Sequence, residues 1–207
     1  IWDIEKDYGL NLRSLTLFAD KTYQSNPKFR PILGGRDQEF SDEEILQLEK
    51  VHQALAIMQF KLENQLIKRR PEFQMQDHVM LDKIDYWEES VTIDDTKHAL
   101  VSTCFQTINP ENPSALTPEE NQAVDSMLAS FQSSLKMAEH MSLLMNKGSM
   151  YKIYNQHLLF HGCIPLEPSG EFQPFILNQA HYAGKELLDF FEYHIRQSAK
   201  NKEEGDD

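Results

Sequence analysis

The tetrad His161-Gly162-Cys163-Ile164 follows directly on the apolar run His157-Leu158-Leu159-Phe160, which sets an imidazole where a buried strand is expected to enter a tight turn. A neutral imidazole is a good ligand for first-row metals, and a glycine after it lets backbone approach a metal or phosphate without a Cβ in the way. By itself His161 reads either as a metal ligand or as a satisfied buried histidine. Cys163 raises the idea of a thiolate nucleophile with His161 as its base. Nothing near it in sequence would lower the thiol pKa, so a small apolar packing residue is the preferred reading. Lys68, Arg69 and Arg70, running into Pro71, concentrate positive charge in an acidic chain. Such a cluster either complements the dipole and carbonyls at a helix C-terminus or clamps a phosphate, since guanidinium groups bind phosphate bidentately. Lys185 stands at the opening of the final helix, where amides and dipole favour an anion, although a solvated first-turn charge is the commoner explanation. The other histidines make no ligand spacing and receive no role.

Long helices must carry these groups. Ile45, Leu48, Val51, Leu55, Met58, Leu62 and Leu66 recur every three or four residues and predict a helix over residues 41–68 with that stripe inward. Ser41 and Glu44 form a capping box at its start, and Pro71 ends it or opens the next helix. Thr117, Pro118 and Glu120 announce a second helix, whose stripe of Val124, Met127, Leu128, Phe131, Leu135, Ala138, Met141 and Met145 runs unbroken to Gly148. Residues 90–93 and 98–101 flank residues 94–97 and predict a small, peripheral β-hairpin. Pro110 and Pro113 make residues 103–114 a loop. Beyond Gly148 the pattern gives a helical turn at 151–154, a buried strand at 158–160, a turn at 167–170, and a helix over 183–198 with Leu187, Leu188, Phe191 and Ile195 inward. The reading is α+β and mainly helical: residues 1–148 a helical region, 149–199 a strand-turn-helix region, and 200–207 a frayed acidic tail.

Composition narrows the partners. Twenty basic against 33 acidic residues give a net charge of −13, which repels polyanions and makes nucleic acid an unexpected partner. Cys104 and Cys163 lie too far apart in sequence for a zinc pair or a disulfide framework, and this fits a reducing cytoplasm. No run approaches the roughly 18 apolar residues of a membrane span, and the start lacks a cationic and apolar leader.

Several stretches together carry a resemblance. YGLNLRSL, VHQALAIMQFKLENQLIKRRPEFQM, LDKIDY, STCFQTINPENP, MNKGSMYKIYN, LLFHGCIP and YAGKELLDFFE are similar, in order, to the class III, Firmicutes-type fructose-1,6-bisphosphatases of the calcineurin-like metallophosphoesterases. The resemblance implies a helical excursion plus part of an α/β sandwich, incomplete in this chain. It implies hydrolysis of the 1-phosphate of fructose 1,6-bisphosphate in gluconeogenesis, with a sugar bisphosphate as partner and a homo-oligomer left open. His161 would be one ligand of a two-metal centre, manganese, and Lys68, Arg69, Arg70 and Lys185 would contact substrate. The family's Asp-x-His, Gly-Asp-x-x-Asp-Arg, Gly-Asn-His-Asp and Gly-His motifs have no match here, so no catalytic residue is expected in this segment. With Ile1 in place of Met, the chain is expected to be an interior piece, its N- and C-terminal parts missing and inactive alone. A helical interaction or structural module without catalysis is the alternative.

Overall fold

Helix α3 (Asp42–Arg69) begins where its capping box requires, with the Ser41 hydroxyl accepting from the Glu44 amide at 3.3 Å and the Glu44 carboxylate accepting from the Ser41 amide at 2.7 Å. It stops before Pro71, which opens a single 3-10 turn over Pro71–Phe73. The computed structural model describes residues 2–36, 39–101, 103–160 and 162–204. They form an α+β, mainly helical fold that divides into two compact units, Ile1–Ser134 and Leu135–Asp207. No helix among the described residues is long and apolar enough to cross a membrane.

In the first unit, α1 (Trp2–Tyr8) precedes α2 (Arg13–Thr22), and α2 lies against both α3 and α4 (Pro118–Ser133). Leu15, Phe18, Ala19 and Tyr23 meet Val51, Ala54, Ile57, Met58, Cys104 and Ala123 in the core. The inward stripe of α3 departs from the expected one beyond Met58. Leu62 and Leu66 are 39% and 47% exposed, and the buried positions are Lys61, Asn64 and Ile67. That end of the helix faces the loop ending at Ser114 and the first turn of α4, whose oxygens need donors rather than methyl groups. Strands β1 (Ile84–Asp85), β2 (Ser90–Ile93) and β3 (Thr96–Ala99) form an antiparallel sheet. The hairpin closes on Asp94-Asp95 alone, both at positive φ (48° and 60°), so its second strand starts two residues earlier than expected.

The unbroken helix expected from residue 117 to Gly148 is in fact two. Ser134 leaves the helical region (φ −76°, ψ 107°) and donates its hydroxyl to the Tyr8 carbonyl at 2.8 Å; α5 (Leu135–Lys147) starts afresh and belongs to the second unit. The compact units therefore divide earlier than residue 148.

In the second unit, residues 151–154 are not a helical turn. They are β4 (Tyr151–Tyr154), paired antiparallel with β5 (His157–Phe160) through Asn155-Gln156, again both at positive φ (48° and 64°). Nor is the strand at 158–160 buried: every residue of β5 is exposed, because among the described residues the β4–β5 hairpin pairs with no third strand. The turn at 167–170 is present, held by the Gly170 amide on the Glu167 carbonyl. A further hairpin, β6 (Phe175–Leu177) and β7 (Ala180–Tyr182), packs on α6 (Gly184–Glu204) through Phe175, Tyr182 and Phe190. Gly184 instead makes room for Phe172, which precedes the hairpin, since a Cβ there would lie 2.8 Å from the Phe172 ring. Leu187 and Leu188 are buried as expected, whereas Phe191, although its ring lies 5.7 Å from that of Phe175, and Ile195 are 38% and 44% exposed. Helix α6 continues past residue 198 into the charged tail.

Candidate functional site

The basic run sits at the C-terminus of α3, where its two readings compete directly. Lys68 reaches Asp82 at 2.7 Å and the Ser114 hydroxyl at 3.3 Å. Arg70 pairs with Glu72 at 3.0 Å and lies 5.7 Å over the Phe73 ring. Arg69 makes no hydrogen bond or ion pair among the described residues and is exposed. Two of the three cations are thus engaged by acids of their own unit, and Arg69 keeps its full fork of donors for an incoming anion.

The densest polar arrangement in this unit is one the sequence reading missed. Lys61 Nζ, fully buried, donates to Glu120 Oε2 at 2.7 Å, to the Thr107 carbonyl at 2.7 Å and to Thr107 Oγ1 at 3.3 Å. Glu120, also fully buried, accepts from Thr107 Oγ1 at 2.6 Å and from the Thr117 amide at 2.7 Å, so the capping carboxylate of α4 doubles as the counter-ion of α3. The Tyr23 hydroxyl lies 3.4 Å from Thr107 Oγ1, and burial pushes its pKa up to about 12. Every donor of the ammonium is used within the protein. The network fixes the loop between α3 and α4; it has no spare group with which to do chemistry. The Thr117–Glu120 capping box is legible in the sequence but its burial is not, since the same box at Ser41 and Glu44 stays exposed.

In the second unit, Lys185 bonds Asp189 one turn on and stacks 5.5 Å from the Tyr151 ring. The Asp189 bond first, then Tyr151, holds its pKa well above the ordinary lysine range. Its charge is exposed but already partnered. Beside it a cleft of about 510 Å³ runs between β4 and α6, with Glu192 and Arg196 in its lining. Arg196 donates to the carbonyls of Met145 and Gly148, capping the end of α5. Glu192 accepts from the Ser149 hydroxyl at 2.7 Å, the Met150 amide at 2.9 Å and Arg196 at 2.9 Å. These bonds, Ser149 first, lower its pKa from 4.5 to about 2. A carboxylate whose folded pKa is depressed contributes stability above its unfolded pKa and loses it as pH falls through the folded one. The second unit should therefore weaken as pH drops from about 4.5 to 2. Glu192→Gln should flatten that part of the curve, read by hydrogen exchange of α6 amides; an unchanged acid limb would refute the assignment.

His161, the expected metal ligand, lies outside the described residues. Among those described, no three His, Cys, Asp or Glu side chains converge in a way that could hold a metal, so they do not fit a metal pair by themselves. Cys163 is exposed rather than packed; Cys104 is the buried thiol, and burial pushes its pKa up to about 11. The basic run lies in the first unit and Lys185 in the second.

The family described as Firmicute fructose-1,6-bisphosphatase matches the chain over residues 1–207. A curated relative from Streptococcus sanguinis strain SK36, named fructose-1,6-bisphosphatase class 3, is 95% identical over 207 residues, covering 100% of this chain and 32% of its own. Proteins of the same name from Streptococcus gordonii strain Challis and Ligilactobacillus salivarius strain UCC118 are 79% and 47% identical, covering 100% and 99% of this chain and 32% of theirs. The chain spans about a third of the length of the curated relatives it matches. No solved structure matches it.

Proposed function

Since the chain belongs to the Firmicute fructose-1,6-bisphosphatase family, which matches it from residue 1 to residue 207, we propose that it works as part of a sugar bisphosphatase. The reaction is hydrolysis of the 1-phosphate ester of fructose 1,6-bisphosphate: water adds its oxygen to phosphorus, the sugar oxygen leaves with a proton, and fructose 6-phosphate and inorganic phosphate result. Its setting is gluconeogenesis in the cytoplasm. The match over the whole of this chain is the observation that carries the reading.

Within this reading Arg69 is the residue of the basic run that contacts the substrate phosphate, because Lys68 and Arg70 already hold acid partners. The test uses a chimera in which this segment replaces its 95% identical counterpart in the S. sanguinis relative. Arg69→Gln should raise KM for the bisphosphate roughly tenfold, the loss expected for one charge-assisted hydrogen bond, while leaving hydrolysis of a small monophosphate ester nearly unchanged. Equal losses on both substrates, in step with a lower melting temperature, would leave Arg69 only a helix-terminal role.

Manganese is the proposed metal and His161 its proposed ligand from this segment, on the strength of the resemblance of LLFHGCIP. In the same chimera His161→Ala should lower bound manganese and cut turnover by orders of magnitude with the fold retained. Unaltered metal content and activity would remove His161 from the site.

A further inference from the structure

Helices α3 and α4 both pack on α2 and leave between them a groove of about 660 Å³. Its walls are two rows of apolar side chains at helical spacing: Leu55, Leu62 and Leu66 from α3, and Val124, Leu128 and Phe131 from α4. These rows belong to the stripes whose periodicity predicts burial, yet Leu62, Leu66, Leu128 and Phe131 are 39%, 47%, 53% and 37% exposed. Scattered exposed leucines need no explanation, whereas facing rows on two helices make one continuous apolar surface. The α3 row runs from Leu55 to Leu66, about 16 Å or three helical turns. The lining also contains Glu63, which makes no ion pair among the described residues.

We propose that this groove is the docking site of an amphipathic helix supplied by the same polypeptide from outside this segment. Apolar residues at i, i+3 or i+4 and i+7 would fill the walls, and a lysine or arginine would meet Glu63. The family relatives carry about two-thirds of their length outside the matched segment, which covers only 32% of each, so they have chain to supply such a helix. A second copy is the competing occupant, which crosslinking separates from a helix of the same polypeptide. The inference is independent of the catalytic reading, since it rests on the exposed stripes and the length of the relatives.

The chimera with the S. sanguinis relative provides the test. A photoreactive benzoylphenylalanine at position 62 or 128 should crosslink within the same chain to a peptide from outside residues 1–207. Crosslinks to another copy, to a peptide inside this segment, or to no peptide at all would each overturn the proposal. A readout that does not depend on crosslinking comes from stability. Leu66→Lys and Leu128→Lys should lower the melting temperature, because they would bury a charge beneath the docked helix, whereas Ile32→Lys, at a fully exposed position, should not. Equal melting temperatures for all three variants would mean the groove lies open to solvent in the longer protein, and the proposal would fail.

Discussion

Lys61→Met will destabilise the first unit by about 3–5 kcal/mol, the usual consequence of stripping one partner from a buried ion pair. The loss is large because Glu120 stays behind fully buried, with only the Thr107 hydroxyl and the Thr117 amide to hold its charge. Removing both charges should be far gentler. In Lys61→Met/Glu120→Leu no ion is stranded, and the remaining cost is the lost capping box of α4 and the unpaired Thr107 carbonyl, about 1–2 kcal/mol. Urea unfolding of the parent, both single variants and the double variant would form a double-mutant cycle. A single-variant loss under about 1 kcal/mol would falsify the claim that the pair is isolated from water.

Tyr23→Ala should cost as much, about 3–5 kcal/mol. Its ring is fully buried between α2, α3 and α4, edge-on to Phe18 with centroids 6.1 Å apart, so truncation leaves a ring-sized cavity in the core these helices share. Tyr23→Phe separates the ring from the hydroxyl. The hydroxyl sits 3.4 Å from Thr107 Oγ1, a long bond, and its loss should cost no more than about 1 kcal/mol. If Phe and Ala variants unfold at the same urea concentration, the hydroxyl rather than the packing matters, and the cavity argument fails. Because Tyr23 and Lys61 share Thr107, their effects will not add when combined.

Both capping boxes form where their residues predict, because a cap is closed by residues three apart. Ser41 with Glu44 and Thr117 with Glu120 carry their own geometry wherever the helix is placed. The same locality governs the hairpin turns, yet only one hairpin was expected. Asp94-Asp95, Asn155-Gln156 and Asn178-Gln179 all adopt positive φ at both positions, and each pair opens on a residue that tolerates the left-handed region. Those pairs were a usable signal for β4 and for the β6 and β7 hairpin. Tyr151-Lys152-Ile153-Tyr154 is a strand rather than the expected helical turn, and four residues are too few for periodicity to separate the two. The candidate anion contacts were visible as charge, but not their availability: Asp82 reaches Lys68 from 14 residues away and withdraws it, while Arg69 next to it stays open.

The sequence by itself determined the mainly helical class, the start of each long helix and the family, because caps, periodicity and ordered motifs are properties of neighbouring residues. Tertiary structure alone decided which stripe faces inward and where the second helix breaks. Lys61 reads as a solvated charge until Glu120, 59 residues later, is folded against it, and Ser134 reads as a helical residue until Tyr8, 126 residues earlier, offers its carbonyl. Burial of a charge or interruption of a helix is stabilised by partners remote in the chain, and no local pattern records who those partners will be.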